Sequence, residues 1–191
     1  MNLVIHHESW GCITYDSRWI PGFLFSFFKL LIKKKIPPNS HIPAKIGKKI
    51  VLDEEIQLDP KRYIVSETDA KGKITYCNDY FIEVCGYSKE ELIGQPHNIV
   101  RHPDMPKVVF KLLWETIKQG KNINAVVKNR AKDGRYYWIF TEFEMRKDTD
   151  TGEIIGYHAA RKSISKYVIE VIAELYKKLL EIEKNENIEA S

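Results

Sequence analysis

Tyr63-Ile64-Val65-Ser66-Glu67-Thr68-Asp69 is strand-like, and Ala70-Lys71-Gly72-Lys73 turns it into a second strand, Ile74-Thr75-Tyr76-Cys77. The pair reads as a hairpin, with glycine at the turn and β-branched or aromatic residues on both arms. Directly after it the character of the chain changes. Asn78 or Asp79 can cap a short helix over Tyr80 to Cys85. Ser88-Lys89-Glu90-Glu91 has the spacing of a capping box, so a second short helix opens at Ser88 and closes at Gly94. A longer helix is expected from Met105 to Gln119, started by Asp104 and Pro106 and stopped by Gly120. Val108, Val109, Leu112, Leu113, Thr116 and Ile117 form its apolar side. Three strand patterns follow at Asn124 to Ala131, Arg135 to Arg146 and Glu153 to Ser163, separated by turn sequences at 132–134 and 147–152. Two strands, then helices, then three strands predict an α+β domain. It is a five-stranded antiparallel sheet with short helices over one face and room for a ligand between the layers.

Outside this unit, Ser165 to Glu186 carries Val168, Ile172, Leu175, Leu179 and Ile182 at spacings of 4, 3, 4 and 3. That is a seam of about two heptads, which predicts a helix that docks on a partner or pairs with its twin. Packing back on its own sheet is the alternative. Upstream, Pro37-Pro38-Asn39-Ser40 with Pro43 and Gly47 marks a linker, and residues 48–58 read as a charged, extended or briefly helical lead-in. The expected organisation is a leader at 1–47, a lead-in at 48–62, the α+β domain at 63–163 and a C-terminal helix and tail at 164–191.

With 191 residues, 43% of them apolar, the chain can bury one substantial core. Its formal charge of +4 is uneven: residues 1–50 carry eight Lys/Arg against two acids, and the remainder 22 against 24. The main domain is therefore slightly acidic and gives no reason to expect nucleic-acid binding. The apolar run from Trp19 to Ile32 is broken by Pro21, Gly22 and Lys29 and is short for a bilayer span. Lys33, Lys34 and Lys35 trail it, the reverse of a secretory signal. Residues 19–35 could instead lie weakly in an anionic membrane interface, or form a disordered leader. Cys12, Cys77 and Cys85 are odd in number and lack metal-ligand spacing, which reads as free thiols in a reducing, cytoplasmic setting.

The chemistry concentrates in Pro96-His97-Asn98-Ile99-Val100-Arg101-His102-Pro103-Asp104-Met105-Pro106 and in Lys128-Asn129-Arg130. Prolines fix the backbone around an Arg-His pair, a poor core segment but a good cradle for an anionic, planar ligand. Arg101 can fork onto phosphate oxygens, and His102 can donate to phosphate or stack. An ion pair of Arg101 with Asp104, and a capping or surface His102, are the plainer alternatives. Asn78 and Asn129 offer amides that both donate and accept. Phe110, Trp114 and Trp138 could wall an aromatic ring or simply fill a core. No triad, paired catalytic carboxylates, P-loop or zinc spacing is present, and no enzymatic activity is expected.

Together these residues resemble the PAS superfamily, and specifically the flavin-binding PAS domains of aerotaxis and energy-taxis receptors. The resemblance covers about Tyr63 to Ser163. The hairpin, Asn78-Asp79-Tyr80-Phe81 and Gly86-Tyr87-Ser88-Lys89-Glu90-Glu91-Leu92-Ile93-Gly94 resemble the general PAS opening. The run from Gln95 to Pro106, then Phe110, Trp114, Lys128-Asn129-Arg130, Gly134 and Tyr137-Trp138, resembles the aerotaxis branch. It implies non-covalent FAD held by Asn78, Arg101, His102, Asp104, Phe110, Trp114, Asn129 and Trp138. It also implies a redox signal passed to a separate membrane-bound chemotaxis transducer. The heptad seam adds the option of a homodimer through the domain or its C-terminal helix. A cofactor-free dimerisation or docking module is the alternative. Ile123 and Ala125 stand where the family usually has Trp and Gly. Neither Cys77 nor Cys85 matches the cysteine of light-sensing relatives. Haem on His97 or His102 is a further option.

Overall fold

The structure, a computed structural model, describes the backbone of residues 2–7, 11–16 and 50–189 and the side chains of residues 50–185. The first elements are a hairpin, β1 (Asn2–His7) and β2 (Gly11–Asp16), paired antiparallel from Asn2↔Asp16 to His7↔Gly11. The sequence reading gave the leader no element. The β-branched residues on both arms supply the strand preference that it overlooked. The apolar run, its trailing lysines and the proline linker lie outside the described residues.

The α+β fold is as expected. β3 (Ile64–Asp69), β4 (Ile74–Cys77), β5 (Ile123–Arg130), β6 (Tyr136–Lys147) and β7 (Ile154–Lys162) form one antiparallel sheet in the order β4-β3-β7-β6-β5. Side chains of the turns set the hairpins. Asp69 Oδ1 accepts from the backbone N–H of Lys71 and of Lys73 at 2.9 Å each, and Asp148 Oδ1 accepts from Asp150 and Thr151. β3 and β7 meet in mid-sheet at Gly156, where a Cβ would stand 2.1 Å from Thr68 O.

Between β4 and β5 run α1 (Asp79–Cys85), α2 (Lys89–Leu92), a 3-10 turn (His97–Val100) and α3 (Lys107–Lys118). Asn78 caps α1 by accepting from Phe81 N–H, and Ser88 and Glu91 make both halves of the capping box. The start of α3 departs from expectation. It begins at Lys107, and Asp104 does not cap it, because that carboxylate is drawn to Lys128 Nζ at 3.1 Å. The uncapped first turn is served from elsewhere in the chain: Val108 N–H donates to Glu183 Oε1 at 2.8 Å.

Glu183 belongs to α4 (Lys166–Glu189). Of the two readings of its seam, packing back on its own sheet is the one that four of its five residues follow. Val168, Ile172, Leu175 and Leu179 are buried in this chain's own core. Strand alternation puts Val127, Ile139 and Thr141 on the face under α3 and turns Val126, Trp138 and Phe140 to the opposite face. α4 covers that opposite face. Tyr176 stacks on Trp138 and donates from its hydroxyl to Val126 O at 2.5 Å. Three buried apolar residues on the far side of a sheet need a cover, and the seam supplies it. No described helix is long and apolar enough to cross a membrane.

Candidate functional site

Between the sheet and α3 lies a cavity of about 350 Å³, at the lower end of the range for small-molecule sites. Its floor includes Ser66, Thr68, Val127, Asn129, Ile139, Thr141, Ala159 and Arg161. Phe110, Leu113, Trp114 and Ile117 of α3 form the roof, and His97, Arg101, Lys71 and Gly72 close the sides. Gly72 is required here: its φ is +80°, and a Cβ would press on Trp114 Cη2 at 3.2 Å.

Four of the eight expected site residues meet in this cavity: Arg101, Phe110, Trp114 and Asn129. Arg101 lies over the Phe110 ring at 4.1 Å and donates to Met105 O at 3.1 Å. Burial lowers its pKa, opposed by the charge of Glu183. Trp114 meets Tyr157 edge-on, with ring centroids 5.3 Å apart. Asn129 is buried next to the last residue of β5 with its side chain at the cavity wall.

The other four lie outside it, each for an identifiable reason. Asn78 is spent on local structure: its Oδ1 accepts from Phe81 and Val65 N–H, and its Nδ2 donates to Tyr63 O at 2.8 Å. Trp138 is on the opposite face, beneath α4. His102 is buried against Tyr136, its Nδ1 accepting from Asp104 N–H at 3.1 Å. Burial first, then the nearby Lys128 charge, push its pKa down to about 4, so it is neutral at pH 7. Asp104 is exposed and paired with Lys128.

These placements give the paired motif a structural meaning. The segment from Arg101 to Met105 runs beside β5, with Arg101 bridging Asn129 and Lys128 N–H directed at Met105 Sδ at 3.2 Å. His102 and Asp104 clip the segment down, which sets Arg101 and Asn129 side by side in the wall. Ile123 and Ala125, the departures from the family pattern, are buried in the core and do not border the cavity.

Sequence reasoning missed Ser66, Thr68, Thr141 and Arg161. The signal was there for Arg161: it occupies an inward register of β7 with Tyr157 and Ala159, where a charged residue is out of place unless it has a task. His97 was considered only as an iron ligand, but its Nε2 is held by Arg161 at 2.8 Å and Ser66 at 3.0 Å. His102 faces away from the cavity. Neither suits haem. Among the described residues no cluster of His, Cys, Asp or Glu could hold a metal ion.

The wall has a clear polarity. Among the described residues Lys71, Arg101 and Arg161 border the cavity and no Asp or Glu does, while the buried Thr68 and Thr141 hydroxyls have no hydrogen-bond partner. Cations without acids, unpartnered hydroxyls and a Phe-Trp-Tyr lining fit an aromatic ligand that carries negative charge or acceptor atoms.

Residues 74–159 match the family described as PAS fold. This domain is a PAS domain. Over 117 residues the chain is 43% identical to the aerotaxis receptor of Escherichia coli (strain K12), a match that covers 61% of this chain and 22% of that protein. It is 29% identical over 101 residues to a nitrogen fixation regulatory protein of Klebsiella pneumoniae, covering 53% of this chain and 20% of that one. The chain thus spans about a fifth of the length of these relatives. The dark structure of the blue-light photoreceptor Aureochrome1 LOV superposes with a TM-score of 0.50 at 20% identity, over 67% of this chain and 99% of that one. That likeness bears on the fold of the PAS domain alone.

Proposed function

We propose that this PAS domain binds FAD without covalent attachment, senses redox state and signals to a separate membrane-bound chemotaxis transducer. The observation that carries the proposal is the acid-free, cationic, aromatic cavity in a domain 43% identical to a segment of an aerotaxis receptor. Arg101 would hold the pyrophosphate, Phe110 and Trp114 would flank the ring system, and Asn129 would meet its polar edge. FAD supplies reversible electron uptake. The chain supplies a dry, oriented site and no catalytic step.

His102 and Asp104 act in this reading by positioning the Arg101 segment, and Trp138 by seating α4. A change of charge at the ligand is felt first by Asn129, Thr141 and Arg161 on β5, β6 and β7. Because β6 carries Trp138 and Phe140 on its other side, repacking there reaches α4 directly. The domain then acts on the cytoplasmic side of the membrane through its partner, with α4 as the element whose seating the transducer reads.

The test is an absorption spectrum of the purified protein, without added cofactor, before and after dithionite. Flavin bands that bleach on reduction, with FAD released by acid, are expected. A colourless protein that also fails to take up added FAD would overturn the proposal and leave a docking module. A Soret band would point to haem.

A further inference from the structure

Arg161 is 2% exposed and lies in the cavity floor. Its NH1 donates to Ser66 Oγ at 2.9 Å and Ala159 O at 3.3 Å, and its NH2 faces His97 Nε2 at 2.8 Å. A guanidinium only donates, so His97 presents a bare Nε2 and is neutral. Burial, then the charge of Arg161, push the His97 pKa down to about 3. The ring is stacked on Phe81 with centroids 5.7 Å apart, which fixes its orientation. All the ion pairs among the described residues lie elsewhere. A buried cation with neutral partners alone is costly, and the cost is relieved when an anion sits against it.

We propose that Arg161, oriented by His97 and Ser66, is the counter-cation of the bound ligand and holds the reduced cofactor as an anion. The inference rests on the flavin reading above. Complete reduction to the neutral form takes two electrons and two protons. Beside Arg161 the balance is two electrons and one proton, so one negative charge stays on the ring edge and the second proton stays in solvent. The electrons come from an external reductant, dithionite in the experiment. The ionisable groups around Arg161 are His97 on the 3-10 turn, Tyr137 on β6 and Tyr157 on β7, with Lys71 and Arg101 also at the cavity wall. Burial holds both tyrosines above the ordinary phenol range. No carboxylate in the wall competes with the ligand for the guanidinium.

The experiment measures the midpoint potential of the flavin-loaded protein between about pH 5 and pH 6.5, where an unperturbed histidine protonates and free reduced flavin is neutral. The wild type is expected to change by about 30 mV per pH unit, one proton per electron pair, against about 59 mV for two protons. Arg161→Gln is expected to weaken reduced relative to oxidised flavin at least tenfold, lowering the potential by about 30 mV, and to restore the two-proton slope. Arg161→Lys is expected to recover most of the potential. An unchanged potential and slope in Arg161→Gln would overturn the inference and leave the flavin reading standing. An equal loss of affinity for both redox forms would do the same. Should Arg161→Gln not fold, the wild-type slope decides: about 59 mV per pH unit overturns the inference, about 30 mV supports it. Wild-type protein that takes up no flavin overturns both.

Discussion

Two tryptophans show how much a residue's role depends on which side of a strand or helix it occupies. Trp114 is half-buried in the cavity roof, whereas Trp138 is buried under α4. Trp138→Ala is expected to cost about 3–5 kcal/mol of stability and to lower flavin affinity of the folded protein by no more than the few fold transmitted through α4. Trp114→Ala should do the reverse, with flavin lost and a smaller drop in melting temperature. Equilibrium unfolding and flavin titration on the same preparations separate the two. His97 and His102 predict an acid response. Both have folded-state pKa values below the unfolded value near 6.5, at about 3 and about 4. The unfolded chain therefore binds more protons below pH 6.5, and stability falls as the pH is lowered. Each histidine contributes a slope of about 1.4 kcal/mol per pH unit, His102 down to about pH 4 and His97 down to about pH 3. Urea unfolding against pH should show this fall, and His97→Asn should remove its own share of the slope and leave that of His102.

Elements were more legible than the contacts between them. The β3–β4 hairpin, the Asn78 cap and the Ser88 capping box follow from a few neighbouring residues, and the structure has them where the local pattern puts them. The cavity residues Phe110 and Trp114 were legible through their aromatic type and the resemblance, and in α3 they stand one turn apart over the cavity. Trp138 was misjudged although period-2 alternation from Tyr137 puts it on the other face; the reading weighed residue type above register. The burial of the α4 seam was legible only as an alternative, since a heptad spacing looks the same whether it meets a twin or a sheet. Nor does sequence show that Gly156 sits against Thr68 O. Gly156→Ala is expected to cost about 4 kcal/mol or more, because its Cβ would overlap backbone that cannot retreat. Circular dichroism of the variant under native conditions would show the loss of the central β3–β7 pairing. A near wild-type melting temperature would contradict this account of the sheet.

Across the whole molecule, α4 adds a second tie between the sheet and the α3 layer, beyond the Arg101–Met105 segment that runs beside β5. Tyr176 holds it to the sheet, and Glu183 holds it to the first turn of α3 while its charge acts on Arg101. Removing residues 166–191 should uncover Val126, Trp138 and Phe140, raise binding of an apolar dye and lower the melting temperature. The Glu183 contact has a further consequence. A helix cap is worth about 1 kcal/mol, so closing the roof and seating the end of α4 share a free energy of that size. By reciprocity, a partner that pulls Glu183 away loosens the ligand by the same factor by which the ligand resists the pull, roughly fivefold for 1 kcal/mol. Glu183→Gln should shrink that factor in both directions at once, in ligand affinity measured with partner present and in partner affinity measured with ligand present. The cap therefore sets a ceiling on the part of the message carried along this route. A transducer that reads α4 by way of Glu183 hears a graded bias of a few fold, and any all-or-none response must be made further down the line.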